Sequence, residues 1–521
     1  VCEGCGDCSD QSNCLSVEPL ETEWGRKRAI NQSTCNKDFS CLKGFCPSFV
    51  TVKGGRLKKP KAAGPQLAQW PHMPDPVLPS TAQAYRIVVG GVGGTGVITN
   101  GQLLGMAAHL EGKAVVVQDA GGLAQKGGAT WSYVQVADQL GSIHTSKVDT
   151  GCADLVIACD AIVAASQVTL NVMLQGRTSV VLNSHATPTA AFVHNPDWTH
   201  PVAGCEAAIR AAVGGDGLLV LDAESIARQA LGDAIYTNAL LLGYAWQKGL
   251  LPISLASIER AMELNSVQVA NNKAAFTWGR QCAHDLAAIL ARLQTKQVIS
   301  WLKKSSLNEL VTQRVQALTA YQDAAYAQQY SALVTQVSEF EAQWGKSSLA
   351  ETVARNLFKL MAYKDEYEVA RLHSNGALAE QVAAQFEGAV SLQFHLAPPL
   401  ISKTNDKGEL IKRRYGPWVL PAFAWLARLK GLRGGRWDVF GYSAERRQER
   451  ALARQYQDLL AHVQAALSAG PDAPGGRARY QVALELLRIP EQIRGFGHVK
   501  ARNLAQAQTQ WVELLTRLRA L

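Results

Sequence analysis

The chain has 521 residues, is 47% hydrophobic and 18% charged, and carries a formal net charge of +9 at pH 7. This composition is typical of soluble globular proteins, and the lack of an apolar run of about 20 residues excludes a membrane-spanning helix. We therefore expect a cytoplasmic protein of about three domains with no membrane partner. The positive charge would attract an acidic protein, a nucleic acid or CoA, but it does not choose among them.

Seven of the eleven cysteines lie near the N-terminus. The first three are spaced Cys2-x2-Cys5-x2-Cys8, which lets one short loop wrap the irons of a cubane cluster. Cys46 is followed by Pro47, as in bacterial ferredoxins, where the last cysteine of each run binds the other cluster. The spacing predicts that Cys2, Cys5, Cys8 and Cys46 hold one four-iron, four-sulfur (4Fe-4S) cluster.

The second cysteine run is one thiol short. It has the pattern Cys35-x2-Asp38-x2-Cys41, with an aspartate where a middle cysteine is expected. We predict that Cys14, Cys35, Asp38 and Cys41 hold a second 4Fe-4S cluster. Because an oxygen ligand on iron is harder than sulfur and more readily lost, this cluster could also exist as a three-iron (3Fe-4S) form.

Zinc and disulfides are the alternative interpretations of these cysteines. Zinc sites usually pair two Cys-x2-Cys knuckles, and a third cysteine at the same spacing is surplus to one knuckle. Disulfides would imply a secreted protein, yet nothing before Cys2 resembles a signal peptide. We therefore favour iron–sulfur ligation. Because the chain starts at Val1 without an initiator Met, we also expect it to be part of something longer.

A glycine-rich turn opens the next ordered region. Its glycines follow a strand at 86–89 and precede a helix at 97–109; they are Gly91, Gly93, Gly94 and Gly96. Such a unit cradles phosphate, because glycines admit close backbone approach and helix N–H groups face the anion. Asp119 ends a second strand at 114–118, where a nicotinamide fingerprint places an acid for the ribose. The pattern indicates a Rossmann-like domain, although such a turn is often only tight strand–helix packing.

A second glycine-rich loop follows Asp119 and leads into an alternating strand at 130–136. Its candidate binding residues are Gly122, Gln125, Lys126 and Gly127. A simple dinucleotide domain would have a helix at this place, so the loop argues against one. Further strands are predicted at 154–158, 179–183 and 218–222, and the pattern from 223 to about 293 is mostly helical.

These patterns predict an α/β protein in three parts. A ferredoxin-like module at 1–50 is joined by a Pro- and Lys-rich linker at 51–84 to a Rossmann-like α/β domain at 85–290. Residues 295–521 form a mainly helical domain, and we interpret the basic cluster 412–414 within it as a solvated face, with anion docking as the minority interpretation.

The cysteine-rich opening, the first glycine loop and the loop at 121–128 together resemble the indolepyruvate ferredoxin oxidoreductases, members of the 2-oxoacid:ferredoxin oxidoreductase family. The order of segments is similar to the C-terminal part of the long fused proteobacterial form, in which the α/β part is called the gamma domain.

The resemblance implies oxidative decarboxylation of an arylpyruvate to an acyl-CoA, with electrons passed through the clusters to ferredoxin. Thiamine diphosphate and Mg²⁺ would be bound on a segment absent from this sequence, so no catalytic residue is assigned to this chain. The two glycine loops would line the junction with that thiamine domain, with Lys126 as an anion contact; related enzymes more often have Arg there. The resemblance also leads us to expect a homo-oligomer without a nucleic-acid partner.

Two other functions remain open. An iron–sulfur NAD(P)-linked reductase would bind nicotinamide at 90–96 with Asp119 on the ribose. A basic scaffold or nucleic-acid-binding module with a structural cluster would show DNA binding that depends steeply on salt.

Overall fold

The computed structural model describes residues 1–58, 73–93, 95–121, 128–187, 189–293, 306–398, 402–406 and 409–521. Its N-terminal elements are α1 (Asp7–Ser12), β1 (Val17–Leu20), β2 (Lys27–Ile30), β3 (Val50–Lys53) and β4 (Arg56–Leu57). Strands β1 and β2 form an antiparallel hairpin between the two cysteine runs.

The α/β domain follows. Its elements are β5 (Tyr85–Val92), α2 (Val97–Leu110), β6 (Ala114–Gly121), β7 (Ala129–Ala137), β8 (Leu155–Ala158), α3 (Ala161–Ala164), α4 (Gln167–Leu170), β9 (Ser179–Asn183), α5 (Ala190–His194), α6 (Val202–Val213), β10 (Leu218–Leu221), α7 (Ala223–Leu231), α8 (Thr237–Gln247), α9 (Leu255–Asn265), α10 (Val269–His284) and α11 (Leu286–Leu293).

These strands form a six-stranded sheet in the order β10-β9-β8-β5-β7-β6. The first four are parallel, whereas β7 runs antiparallel to both β5 and β6. Ile87, Val88 and Val89 have no exposed surface because helices cover both faces of the sheet. The parallel sheet and its helices confirm the predicted mixed α/β class.

The C-terminal elements are α12 (Leu307–Tyr321), α13 (Ala324–Glu341), α14 (Ser348–Met361), α15 (Glu366–Ser374), α16 (Ala377–Gln385), β11 (Phe386–Glu387), β12 (Ser391–Leu396), β13 (Arg413–Tyr415), α17 (Val419–Arg428), α18 (Ala444–Leu467), α19 (Gly476–Arg488) and α20 (Gly497–Ala520). Helices α12–α14 and α18–α20 share one apolar core. Buried Glu341 caps α14 inside this core, accepting hydrogen bonds from the backbone N–H groups of Leu349 and Ala350, each at 2.8 Å.

The sequence-based linker is wrong at its N-terminal end. Residues 51–57 include most of β3 and all of β4, and these strands pair with β12 and β11 of the C-terminal region. Short strands of this kind carry little local signal, because their stability comes from a partner distant in sequence. The N-terminal and C-terminal regions therefore share one small sheet, ordered β13-β12-β3.

Among the described residues, no helix has the combined length and apolar character needed to cross a bilayer.

Candidate functional site

The structure brings the first predicted cysteine set together. Cys2, Cys5, Cys8 and Cys46 line one cavity of about 170 Å³. Cys8 lies in the first turn of α1, and Cys46 follows the short turn at Ser40–Lys43. Two segments that are distant in sequence thus present their thiols to the same space.

Two contacts hold these segments against each other. The carboxylate of Asp7 accepts a hydrogen bond of 2.6 Å from the backbone N–H of Phe45. Gly44 packs on α1 so closely that a Cβ there would lie 2.7 Å from the Cα of Cys8. Only glycine permits this approach, so the loop that carries Cys46 is fixed by backbone contact.

The cavity disfavours free thiolates. The pKa of Cys5 and that of Cys8 are both raised to about 12. Burial is the main cause, and the charges of neighbouring cysteines contribute in the same direction. Burial likewise raises the pKa of Cys46. Because desolvation opposes negative charge, these thiols become thiolates together only when a cationic species compensates them.

Donors and cations surround the same thiols. The backbone N–H groups of Gly4 and Ser48 donate to the sulfurs of Cys2 and Cys46, at 3.3 Å and 3.4 Å. Arg28 from β2 also lines the cavity. These groups stabilise negative charge on sulfur and partly offset the desolvation.

The second predicted set is also close together. Burial is the largest cause that raises the pKa of Cys41 to about 11, followed by the charges of Cys14 and Cys35, with a smaller contribution from Asp38. Cys14, Cys35 and Asp38 are therefore all within electrostatic range of Cys41.

Asp38 lies in an exposed, conformationally strained turn. Its Oδ1 accepts hydrogen bonds from the N–H and the hydroxyl of Ser40, at 3.0 Å and 2.9 Å. Lys37 and Phe39 on either side have left-handed backbone conformations, with φ of 60° and 59°. Such conformations cost about 1–3 kcal/mol each outside glycine, so this turn is held by its surroundings.

Among the described residues, no group of three or more His, Cys, Asp or Glu side chains is placed so that it could hold a metal ion.

The first glycine loop is packed and tied in place. A Cβ on Gly91 would lie 2.8 Å from the Cβ of Cys159. The N–H of Gly93 donates to the carbonyl of Gly128, at 2.8 Å, and Asn238 donates to the carbonyl of Thr95, at 2.7 Å. Gly96 begins α2 with φ of 94°. The other predicted loop residues lie outside the described residues: Gly94, Gly122, Gln125, Lys126 and Gly127.

The strand order separates Asp119 from this loop. Asp119 lies on the edge strand β6, and β7 is inserted between β6 and β5. In a dinucleotide-binding fold the acidic residue follows the strand adjacent to the glycine turn. The sheet therefore argues against the nicotinamide interpretation.

Residues 86–282 match the family model described as pyruvate ferredoxin/flavodoxin oxidoreductase. This α/β domain therefore belongs to the 2-oxoacid:ferredoxin oxidoreductase family. Residues 307–513 match a second model, a family of unknown function designated DUF6537.

The curated relatives of this chain match it over the α/β domain. "Indolepyruvate oxidoreductase subunit IorB" of Pyrococcus horikoshii is 28% identical over 204 residues, covering 39% of this chain and 97% of the relative. The subunit of the same name from Methanothermobacter thermautotrophicus is 28% identical, with 35% and 87% covered. The crystal structure of pyruvate oxidoreductase subunit PORC from Thermotoga maritima is 22% identical, covers 38% of this chain and 96% of its own, and has a TM-score of 0.29.

The oxidoreductase domain also carries polar residues that the sequence analysis missed. Asp160 lies two residues after the end of β8, is 4% exposed, and accepts a 2.9 Å hydrogen bond from the N–H of Val163. Its other oxygen has no hydrogen-bond partner among the described residues, and burial raises the pKa of this carboxyl. His185 follows β9 and lies 3.2 Å from Asp222. An acid or histidine two residues beyond the end of a buried parallel strand is the signal that would have found them.

Proposed function

We propose that this chain is the electron-transferring and gamma-type part of an indolepyruvate (arylpyruvate) ferredoxin oxidoreductase. The observation that carries the proposal is the convergence of Cys2, Cys5, Cys8 and Cys46 on one cavity in a chain with a 2-oxoacid oxidoreductase domain. Neither feature alone selects this function, but their combination favours an enzyme that removes electrons from a 2-oxoacid.

The donor set suits iron–sulfur clusters. Four sulfur donors around one cavity are the ligands that 4Fe-4S clusters use, and soft thiolates favour iron–sulfur sites over hard cations. Cys2, Cys5, Cys8 and Cys46 would hold the first cluster. The second set, Cys14, Cys35, Asp38 and Cys41, would hold the other. When bound, the clusters supply one-electron transfer.

The residues around the first set would prepare the cavity for this role. The N–H groups of Gly4 and Ser48 stabilise charge on the sulfurs, and Arg28 offsets part of the negative charge. Asp7 and Gly44 keep the two cysteine segments in register. A fixed set of ligands limits reorganisation when charge changes, which favours fast electron transfer.

The proposed reaction needs components beyond this chain. An arylpyruvate, CoA and two oxidised ferredoxins would give an acyl-CoA, CO₂, two reduced ferredoxins and one proton. Thiamine diphosphate with Mg²⁺, bound on another segment or chain, supplies the carbanion chemistry. The glycine loops around Gly91–Gly96 and 121–128 would face that thiamine domain, and ferredoxin would accept the electrons in the cytoplasm.

Anaerobic purification tests the proposal. We expect a brown protein with about eight iron atoms, or seven if the Asp38-containing site is 3Fe-4S, together with acid-labile sulfide. Its broad absorption near 400 nm would bleach with dithionite. A colourless protein containing zinc would refute the iron–sulfur assignment. Reduction of the clusters by NADH alone would instead favour the NAD(P)-linked reductase.

A further inference from the structure

A small sheet brings Lys412 from the C-terminal domain to the cysteine segment. Lys412 directly precedes β13, which pairs with β12, and β12 pairs in turn with β3. Strand β3 begins at Val50, shortly after Cys46 in the chain. The backbone hydrogen bonds of this sheet therefore fix where Lys412 lies relative to the cysteines.

The Lys412 side chain contacts the cysteine segment directly. Its ammonium donates a hydrogen bond to the carbonyl oxygen of Gly44 and lies 5.4 Å from the ring centroid of Phe49. Lys412 and Cys46 also line a common cavity of about 200 Å³. Gly44 is the residue whose backbone packs on Cys8, so one ammonium holds the contact point between the two cysteine segments.

Lys412 is within electrostatic range of cysteines from both predicted sets. Burial lowers the pKa of its ammonium, while the charges of Cys46, Asp7, Cys41 and Cys8 oppose that shift. Cys46 and Cys8 belong to the first set and Cys41 to the second. The same cation therefore interacts with ligands of both sets.

We propose that Lys412 is a positioning residue that fixes the Gly44 turn between the two cysteine sets and favours the reduced clusters through its positive charge. This inference rests on the proposed function, because it requires that the cysteines hold clusters. It gives the C-terminal region a part in electron transfer. The α/β relatives match only 39% of this chain or less, and that match does not include the C-terminal region.

The physical reason is the charge change on reduction. A cluster gains one negative charge when it accepts an electron, and a nearby ammonium stabilises that state more than the oxidised one. The effect is large in a partly dehydrated site, because charges are weakly screened there. Removing the ammonium should therefore lower the reduction potential, with the larger change at the cluster held by Cys46.

The test is an anaerobic redox titration followed by EPR on the full chain. Lys412→Met removes the charge at nearly constant length, Lys412→Arg keeps it, and Lys403→Met is the matched control because Lys403 is exposed in the same region. We expect Lys412→Met to change the oxidised-to-reduced ratio at a fixed potential tenfold or more, which is about 59 mV for one electron. Lys412→Arg and Lys403→Met should titrate like the wild type.

The outcomes separate this inference from the proposed function. If the wild-type protein contains no clusters, the proposed function itself is refuted. Clusters in the wild type with an unchanged potential in Lys412→Met overturn the role of Lys412 alone. Iron loss in both Lys412→Met and Lys412→Arg would mean that only the shape of the lysine matters, which also overturns it. Iron loss in Lys412→Met with wild-type potential and iron content in Lys412→Arg supports it.

Discussion

Arg433 and Asp365 form a bidentate ion pair in the interior of the C-terminal domain. The guanidinium donates to both carboxylate oxygens, at 2.6 Å and 2.9 Å, and each side chain is only 3% exposed. Arg433 also donates to the carbonyl of Tyr321, at 2.7 Å. Asp365 caps α15 and lines the cavity next to Cys46. The pair thus anchors the part of this domain that contacts the cysteine module.

Removing one partner should destabilise the domain strongly. Asp365→Asn or Arg433→Met leaves a buried charge unpaired, and we expect a loss of about 3–5 kcal/mol in the free energy of unfolding. Urea unfolding, with hydrogen exchange of α15 as a local readout, measures this loss. The double variant Asp365→Leu/Arg433→Met should be more stable than either single variant, because it leaves no isolated charge. Exposed Arg413→Met is the control, and a single-variant loss below about 1 kcal/mol would contradict the prediction.

The two cysteine sets should lose iron separately. Cys46→Ala removes a ligand from the first set and Cys14→Ala one from the second, so each should lose about half of the iron. Cys282 is buried in α10 and belongs to neither set, so Cys282→Ala should keep the full complement. Iron and sulfide assays with EPR measure the outcome. Equal iron in Cys46→Ala and the wild type would contradict the assignment of Cys46.

The Asp38 site should be the one that air degrades first. Brief exposure of the wild type to oxygen should give the EPR signal of an oxidised 3Fe-4S cluster, since an oxygen-ligated iron leaves more readily than a sulfur-ligated one. Asp38→Cys should suppress that signal and retain about one more iron atom. Asp10→Cys is a control, because Asp10 is exposed and outside both sets. Equal signals in Asp38→Cys and the wild type would argue against ligation by Asp38.

Gly91→Ala should strain the oxidoreductase domain. The new methyl would lie 2.8 Å from Cys159 and 2.9 Å from a methyl of Val97, so β5 or α2 must shift. We expect a loss of about 1–3 kcal/mol in the free energy of unfolding, as for other overpacked cores. Gly121→Ala is the matched control on β6, since its methyl meets nothing closer than 3.8 Å. Similar melting temperatures for the two variants would show that the turn is not close-packed.

The His185 site should add stability that depends on pH. Burial lowers the pKa of His185, but its hydrogen bond to Asp222 and the charge of Glu224 outweigh burial and raise it above 6.5. A raised pKa means that the protonated form stabilises the fold. The contribution, about 1 kcal/mol or less, is complete below pH about 6.5 and disappears as the pH rises through the raised value.

Melting temperatures of His185→Gln and the wild type check this pH dependence. Their difference should be largest near pH 6 and shrink towards pH 9. His144→Gln, at an exposed histidine, should follow the wild type at every pH. A difference between His185→Gln and the wild type that grows with pH would reverse the assigned sign.

The cysteine spacing predicted that Cys2, Cys5 and Cys8 lie close together, because intervals of two residues constrain a short loop whatever surrounds it. That these cysteines hold a cluster stays a prediction. The strands of the α/β domain were also predictable, since buried parallel strands such as Leu155–Ala158 are short, wholly apolar runs. The insertion of β7 between β5 and β6 could not be predicted, because strand order depends on contacts that no local pattern encodes. For the same reason β3 was assigned to a linker.

Lys412 and Asp160 show which features of the candidate site could not be predicted from the sequence. The basic run 412–414 has the composition of a solvated face, and nothing in it indicates that its first residue contacts Gly44. Asp160 follows a buried strand, but its own burial, at 4% exposure, cannot be read from that position in the sequence. Both residues acquire their surroundings only through tertiary structure, while the role of the glycine loop residues between 122 and 127 stays a prediction.

The pairing of β3 with β12 has a consequence for biosynthesis. Thr51 and His395, whose side chains lie 2.8 Å apart across these strands, are separated by 344 residues. While the ribosome is still translating the intervening segment, β3 has no partner strand. The sheet that fixes the segment after Cys46 therefore cannot form until the C-terminal strand β12 has been synthesised.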